Sequence, residues 1–471
     1  MNSLYNMGIK GKLYRLLFNM NKDTRIRVKT AFGVTEEVVT GENVGQGTIE
    51  GADISAANID YGVNHFFKNS NYELSYGSVR LQPMLFQDDI SRLCLDVRSA
   101  QIANDLLGAM METKLLDFNI EKSCYIVIGP AKEKEKLSKQ LQVNPLMLSR
   151  LPMKGVMKEK YLGDQISAGG LTDSILDTIA GRKGKMMSSI LEVKTIMEDC
   201  RINTVGGISS GLTMWEAAII PFLMNNSETW TQVNKAAINI LDKCQNTFLR
   251  LLLATPVACP TPALVWETGC LTMKFRIIQQ KLLFYHHLLN LPPTSLANQV
   301  ALTQHRLGYP GLIQECHQMC TELDLPDIIE NPGMGKVMWK RMVKKAVRDS
   351  NRDELLNDIK ENYTKLDFEA LKEEQFQIKP YIKELKMNDA RIKFSLRSKM
   401  TRTVQMNFSN DRKYADNLWQ CSGCGCIDSQ LHLLWCDGYK NLREGKDLSS
   451  DRDLVEYYRL IMKHRDEEEN I

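Results

Sequence analysis

The chain has 471 residues, of which 43% are hydrophobic and 25% are charged, and its formal net charge is only +3. This composition excludes an intrinsically disordered chain, and the length favours about two to four domains. A net charge this small is no evidence for a nucleic-acid partner. The local distribution of charge must be considered instead.

The twelve cysteines are too sparse for a disulfide scaffold. Most of them stand alone, which is typical of a reducing compartment, and only those near residue 421 are clustered. No apolar run approaches the roughly 20 residues that span a bilayer. We therefore expect a soluble intracellular protein, nuclear or cytoplasmic, without a membrane partner.

Strand and helix patterns alternate over residues 1–170. Apolar periodicity predicts the following elements in chain order: a helix over 9–20, a strand over 25–29, a β-rich stretch over 36–40, a helix over 55–67, two short strands within 83–95, a helix over 99–117 and a buried strand over 124–128. This pattern predicts an α+β domain made of an antiparallel sheet and helices.

Long amphipathic segments replace this mixture from residue 171 onward. They predict helices over 172–200, 208–224, 230–253, 273–290 and 310–323. We expect three further regions: a mostly α-helical domain over 171–330, a basic helical linker over 331–415, and a small element with a tail over 416–471 that contains the clustered cysteines.

Two adjacent aspartates within Phe86-Gln87-Asp88-Asp89 are the sharpest local signal. The apolar segments Met84–Phe86 and Leu93–Leu95 flank them at strand length, which predicts an antiparallel hairpin with the aspartates at its tip. Phosphoryl transfer with two metal ions needs hard oxygen ligands of this kind to bind Mg²⁺. The alternative is an ordinary exposed acidic turn.

Basic residues alternate with aromatic ones between residues 381 and 408. Such a pattern suits a nucleic-acid backbone and unstacked bases, and a solvated helical face is the alternative. The candidate contacts to the backbone are Arg391, Lys393, Arg397 and Lys399. Arg182, Lys183 and Lys185, near the start of the helical domain, allow the same two interpretations.

The spacing Cys421-x2-Cys424-x7-His432-x3-Cys436 supplies three thiolates and one imidazole. This is a ligand set of tetrahedral structural zinc. Leu433, Leu434 and Trp435 would wrap the ion in a small apolar core. Two alternatives are Cys426 in place of Cys424 and a set of unlinked buried thiols.

Two other groups resemble ligand sets without the spacing that would support one. Cys316 and Cys320 are predicted to be buried thiols of one helix, and His286-His287 is predicted to lie at a helix edge.

Four short motifs follow one another in the first part of the chain: Gly45-Gln46-Gly47, Phe86-x-Asp88-Asp89, Asn119-x-x-Lys122-Ser123 and Tyr161-Leu162-Gly163. Their order resembles the palm of reverse transcriptases, most closely those of non-LTR (LINE-type) retrotransposons. Further similarities lie in a thumb-like region, at residues 221–230 and 264–269, and in the terminal Cys-Cys-His-Cys element.

The resemblance implies an RNA-directed DNA polymerase that extends a DNA primer on an RNA template with Mg²⁺ and nucleotides. It implies a palm followed by a helical thumb. It implies these roles: Asp88 and Asp89 as metal ligands, Lys122 beside the leaving pyrophosphate, Gln46, Gly47 and Phe86 beside the template and nucleotide, and Tyr161, Leu162 and Gly163 in the turn that holds the primer end.

Two positions depart from the family pattern. Ala56 stands where a proline usually follows the serine at a helix start. The family's first catalytic aspartate lies in a run similar to Asp-x-x-Lys-Ala-Phe-Asp, and nothing between Met1 and Thr40 fits it. We therefore expect an amino-terminally truncated palm with an incomplete metal site and an exposed sheet edge, inactive by itself.

Two other functions are consistent with the same residues. One is a non-catalytic nucleic-acid-binding protein, derived from such an element, that keeps the basic linker and the zinc element. The other is an element-derived reading frame with no maintained role.

Overall fold

The computed structural model describes residues 2–40, 49–68, 74–199, 203–331, 333–363, 366–400, 421, 423–426 and 428–469. Their contacts separate two units, Met1–Glu159 and Lys160–Ile471. The three regions predicted after residue 170 therefore fall into one unit. Gln46 and Gly47, predicted to contact template and nucleotide, lie outside the described residues.

Short strands and five described helices form the first unit. The helices are α1 Asn2–Asn6, α2 Gly11–Asn21, α3 Ile49–Lys68, α4 Val97–Lys114 and α5 Ala131–Val143. The strands are β1 Thr24–Ile26, β2 Lys29–Thr30, β3 Gly33–Val34, β4 Val38–Thr40, β5 Leu74–Tyr76, β6 Val79–Leu81, β7 Met84–Phe86, β8 Asp89–Ser91, β9 Cys124–Tyr125, β10 Met147–Leu148, β11 Leu151–Pro152 and β12 Lys154–Gly155. A further hairpin, β13 Lys158–Tyr161 with β14 Asp164–Ser167, begins where this unit ends.

Each described strand pairs with one other strand. The pairs β1–β4, β2–β3, β5–β6, β7–β8 and β10–β11 are antiparallel, and β9–β12 is parallel. Strand β13 pairs with β14, which follows it after two residues. The fold is thus mixed α and β with small, mostly antiparallel sheets. The described strands do not join into the one antiparallel sheet that the sequence predicts.

Helices α3 and α4 supply most of the core of the first unit. Phe67 on α3 and Leu107 and Met110 on α4 are buried in it. Gly62 lets the two helices approach, because a Cβ at this position would meet the Met110 side chain at 2.8 Å. The Asp96 side chain caps α4 by accepting a hydrogen bond from Ser99 N–H at 2.7 Å.

Helices make up almost all of the second unit. They are α6 Leu171–Asp199, α7 Gly207–Met214, α8 Ile220–Leu223, α9 Lys235–Leu253, α10 Thr261–Thr268, α11 Met273–Leu289, α12 Leu296–Leu307, α13 Leu312–Glu322, α14 Lys336–Asn362, α15 Phe368–Glu373, α16 Pro380–Glu384, α17 Met387–Arg397, α18 Gln430–Trp435, α19 Lys440–Arg443 and α20 Asp451–Glu469. A π-helical turn, Trp215–Ile219, joins α7 to α8, and two 3-10 turns are Ser227–Thr229 and Asp437–Tyr439.

One large core runs from Ile175 to Phe394, so the predicted linker shares it with the predicted helical domain. Trp215 stacks on Phe248 inside this core, with ring centroids 4.6 Å apart. The π-helical turn that holds Trp215 precedes Pro221, which has no N–H to continue a regular helix.

A second core lies between α11, α12, α13 and α14, and it contains Cys316 and Cys320. Burial raises the pKa of both thiols to about 12. The prediction of buried helical cysteines is confirmed. His286 is buried, with Nε2 2.7 Å from the Met334 carbonyl oxygen, while His287 is exposed, so the two imidazoles do not form a ligand pair.

Among the described helices, none combines the length and apolar character that crossing a bilayer requires.

Candidate functional sites

The hairpin β7–β8 carries the two adjacent aspartates. Asp88 lies in its two-residue turn, and Asp89 opens β8 opposite Phe86. Gln87 adopts a φ of +55°, which lets the chain reverse within two residues. The second strand is therefore Asp89–Ser91 and not the predicted Leu93–Leu95. Both aspartates are exposed. Within the described residues neither carboxylate has an ion-pair partner, so both are available to a cation.

Lys122 lies in a turn shaped by Asn119. The Asn119 side-chain oxygen accepts a hydrogen bond from Lys122 N–H at 3.2 Å, and its carbonyl oxygen accepts one from Ser123 Oγ at 2.9 Å. The asparagine and serine of this motif thus stabilise the turn by hydrogen bonds, and the Lys122 side chain is exposed to solvent. An exposed ammonium group can meet a phosphate, as the resemblance implies.

The turn Tyr161-Leu162-Gly163 joins β13 to β14, with φ of +49° at Leu162 and +93° at Gly163. Arg182 holds this turn from α6. Its guanidinium donates to the Gly163 carbonyl oxygen at 3.0 Å and forms an ion pair with Asp164 at 2.5 Å. The predicted exposed cation is therefore a buried structural residue, because these acceptors compensate its desolvation.

The same guanidinium links that turn to a second motif of the resemblance, residues 221–230. It donates to the carbonyl oxygens of Leu223 at 3.2 Å and Asn225 at 2.8 Å. Asn226 completes the connection, since its side-chain amide donates to Leu162 O at 3.2 Å and to Asp164 Oδ2 at 3.1 Å. Two segments more than fifty residues apart thus form one fixed turn.

The motif around Glu267 packs against the predicted basic linker. Glu267 is buried and accepts hydrogen bonds from Tyr381 Oη at 3.0 Å and Arg397 Nε at 2.8 Å. Arg397 also forms an ion pair with Glu374 at 2.7 Å. Burial opposes the charge of Arg397, but the two carboxylates outweigh it, and the pKa of the guanidinium is raised above its usual value.

Contacts within the chain engage the three cations of α17 that were predicted to contact nucleic acid. Lys393 pairs with Asp451 at 2.5 Å, and Arg391 Nε donates to the Leu252 carbonyl oxygen at 3.0 Å. Arg397 is occupied by its two carboxylates. Only Lys399, of the four cations predicted to contact nucleic acid, is exposed. The interleaved Tyr381 and Phe394 are buried in the core and are not stacking surfaces.

The best-defined site is the Cys-His cluster, made of Cys421, Cys424, His432 and Cys436. Its four ligand atoms all lie within 4.8 Å of one another. Cys421 Sγ and Cys436 Sγ are 3.7 Å apart, and Cys424 Sγ is 3.1 Å from His432 Nε2. Tetrahedral zinc with Zn–S bonds of about 2.3 Å requires sulfur–sulfur separations of about 3.8 Å. The donor set therefore fits a zinc ion.

Local backbone structure brings these donors together. A tight turn folds Cys424 back toward Cys421, with Gly425 N–H donating to the Cys421 carbonyl oxygen at 2.8 Å. The Ser429 hydroxyl caps α18 by accepting from His432 N–H at 3.1 Å. Burial raises the pKa of the Cys436 thiol to about 12, so metal binding there displaces a proton. Cys426 is exposed and lies outside the cluster.

The apolar surroundings of the cluster differ from those predicted. Leu433 is fully buried, but Trp435 is 75% exposed and contributes no cover. Helix α20 supplies the cover instead, through Tyr457, Tyr458 and Ile461. This role could not be predicted, because α20 carries none of the ligands and its apolar spacing matches that of any amphipathic helix.

Comparison with known proteins adds no relative: no protein-family model matches the chain, and no curated protein matches it.

Proposed function

We propose that this chain acts in RNA-directed DNA synthesis, as a reverse transcriptase of the kind that non-LTR retrotransposons encode. The observation that carries the proposal is the pair of exposed carboxylates, Asp88 and Asp89, at the tip of the β7–β8 hairpin. The order of the surrounding motifs supports it. So does the fixed turn at Tyr161-Leu162-Gly163, which Arg182 ties to residues 223–226.

In this proposal the hairpin carboxylates hold magnesium, which when bound would neutralise charge on the attacking and leaving oxygens. Lys122 contacts the phosphates of the nucleotide, and the fixed turn holds the primer end. Two adjacent carboxylates with little else bind Mg²⁺ poorly, because this ion gives up its waters reluctantly. We therefore propose that catalysis also requires a carboxylate from a segment that residues 1–40 do not provide.

Primer extension tests this proposal. This chain, and a longer form in which a segment carrying the family's first aspartate motif is fused to its amino terminus, would be incubated with Mg²⁺, nucleotides and a labelled DNA primer on an RNA template. We expect product from the longer form only. Asp88→Ala and Asp89→Ala should each abolish it. Asp117→Ala, which changes another exposed carboxylate of the first unit, should not.

Two outcomes contradict the proposal in different ways. Robust extension by the chain as given would show that no further carboxylate is required. A longer form that makes no product under any condition would remove the polymerase function altogether.

A second function, binding of single-stranded nucleic acid without catalysis, has its own supporting observation. Trp435 and Leu431 are exposed on α18, the helix that also carries His432. An exposed indole can stack on an unpaired base, a contact worth about 1–3 kcal/mol. Trp435→Ala should weaken binding of a labelled RNA strand about tenfold, whereas Phe222→Ala, another partly exposed aromatic of this unit, should leave it unchanged. Equal affinities would exclude Trp435 as a contact.

A further inference from the structure

A charged side chain from outside the ligand segment reaches a sulfur atom of the Cys-His cluster. Arg465 on α20 places Nη2 3.8 Å from Cys421 Sγ. Its Nε donates to Tyr439 Oη at 2.9 Å, and that hydroxyl oxygen itself lies 3.9 Å from the same sulfur. Two polar groups therefore converge on one ligand atom.

A buried carboxylate fixes the orientation of this guanidinium. Asp428 is 0% exposed and receives Arg465 Nη1 at 2.9 Å and Nη2 at 2.7 Å. Bidentate pairing of this kind is geometrically specific. Because Asp428 is shielded from water, its ion pair with Arg465 restricts the guanidinium to one orientation. Arg465 Cζ also lies over the Tyr439 ring, 5.5 Å from the ring centroid. The donor that faces Cys421 is therefore held in place.

We propose that Arg465 is a positioning residue for the metal ligand Cys421, and that docking of α20 and metal binding by the Cys-His cluster are coupled through it. Three thiolates and one neutral imidazole around a divalent cation leave one excess negative charge. An N–H donor directed at a thiolate stabilises that charge and fixes the direction of the sulfur. The inference does not depend on polymerase activity.

The rest of α20 gives the coupling its mechanical basis. Tyr457 Oη donates to the Leu433 carbonyl oxygen at 2.7 Å, and Tyr458 Oη donates to the Gln430 carbonyl oxygen at 2.9 Å. Both acceptors belong to α18, which carries His432. Removing the metal releases both Cys421 and His432. The contact of Arg465 with Cys421 and the contacts of Tyr457 and Tyr458 with α18 are then weakened together.

Zinc affinity, measured by competition with a chromogenic chelator, is the first test. Arg465→Met keeps the length of the side chain and removes its donors, so zinc affinity should fall about 10- to 100-fold. Lys463→Met changes an exposed cation on the same helix and should leave the affinity unchanged. Arg465→Lys should lie between them, because one ammonium cannot serve Asp428, Tyr439 and Cys421 together.

Cobalt substitution separates positioning from general stability. In the folded Co²⁺ protein the thiolate-to-cobalt charge-transfer band should shift in Arg465→Met, because Cys421 loses its N–H donor, and not in Lys463→Met. Hydrogen exchange in α20 should increase when zinc is chelated from the wild-type protein. Unchanged zinc affinity and an unchanged cobalt spectrum in Arg465→Met would overturn the positioning role, and unchanged exchange in α20 would overturn the coupling.

If Arg465→Met does not fold, Arg465→Lys decides the question. It keeps a positive charge beside Asp428 and the Tyr439 hydroxyl, but one ammonium cannot serve Asp428, Tyr439 and Cys421 together. A several-fold loss of zinc affinity with a shifted cobalt band supports the proposal, and wild-type values for both overturn it.

Discussion

The two units differ in how much apolar surface their elements enclose. In the second, long helices surround continuous cores that include the buried Trp215, Trp266 and Trp339. In the first, strands of two or three residues pair only once, and large apolar side chains such as Phe32 and Leu95 stay exposed. Isolated two-stranded ladders are marginally stable and leave unpaired edges. The residues with the strongest catalytic signal, Asp88 and Asp89, thus stand in the less consolidated unit.

This contrast has a physical meaning for function. Elements that must move or receive a ligand are drawn from the less stable parts of a protein. The β7–β8 hairpin belongs to the less consolidated unit and is therefore expected to open more readily than the helices of the second unit. All six tryptophans follow residue 160, so tryptophan fluorescence reports on the second unit alone, and hydrogen exchange is needed for the first.

The largest effect should come from the metal cluster. Structural zinc contributes about 10–16 kcal/mol of apparent binding free energy in zinc-finger peptides. The double substitution Cys421→Ser and Cys424→Ser should lower the zinc content from about one ion per molecule to nearly none, by elemental analysis. It should also increase hydrogen exchange in α20 while α4 of the first unit is unaffected. Cys426→Ser serves as the control, and a double variant with full zinc content would refute the ligand assignment.

A matched pair of phenylalanines compares the two units directly. Phe394 is 0% exposed in the large core, and Phe32 is 101% exposed in the first unit. Phe394→Ala should lower the free energy of unfolding of the second unit by about 3–5 kcal/mol, because it leaves a cavity. Phe32→Ala should change stability by less than about 0.5 kcal/mol. Urea unfolding followed by fluorescence and by hydrogen exchange measures both. Comparable losses would show that Phe32 is covered in solution and that the contrast is wrong.

Local patterns predicted the helices of this fold better than its sheets. The apolar periodicity of α6, α9 and α11 predicted the ends of these helices to within about five residues, because apolar spacing is a property of one segment. The second strand of the Asp88–Asp89 hairpin was placed four residues too late. Its position depends on the positive φ of Gln87, which an apolar pattern does not encode. The helices α10 and α12 were not predicted.

The candidate sites divide in the same way. The metal cluster was predictable because its three thiols and its imidazole all lie within sixteen residues of sequence. Their spacing alone restricts which metal site they can form. Arg397 was assigned to nucleic acid because a solvated arginine and a buried, paired arginine look alike in a sequence. Its partner Glu267 lies 130 residues earlier, so only the fold brings the two together.

That buried ion pair offers a comparison of charges between the units. Arg397→Met leaves the buried Glu267 without its charged partner, which should lower the stability of the second unit by about 2–4 kcal/mol after allowance for partial exposure. Arg25 pairs with Glu37 in the first unit, but its side chain is largely exposed. Arg25→Met should therefore cost less than about 1 kcal/mol. Chemical denaturation and hydrogen exchange of both variants provide the test, and equal costs would contradict the difference in burial.

The smallest expected effect is a pH dependence that belongs to the second unit. Burial alone would raise the pKa of Glu374, but hydrogen bonds from Arg397 and Lys379 outweigh it, so the pKa lies below its usual value of 4.5. The folded state then binds fewer protons than the unfolded state near that pH. The stabilisation is fully present above about pH 4.5 and is lost as the pH falls through the folded pKa.

Glu374→Gln should therefore flatten the acid limb of the stability curve between about pH 5 and pH 3, measured by urea unfolding with tryptophan fluorescence. Glu373→Gln, its exposed neighbour, should keep the wild-type slope. Acid also releases zinc from the thiolates, but this affects all three proteins equally and cancels in the differences between them. An identical slope in wild type and Glu374→Gln would mean that the ion pairs around Arg397 do not control the acid stability of this unit.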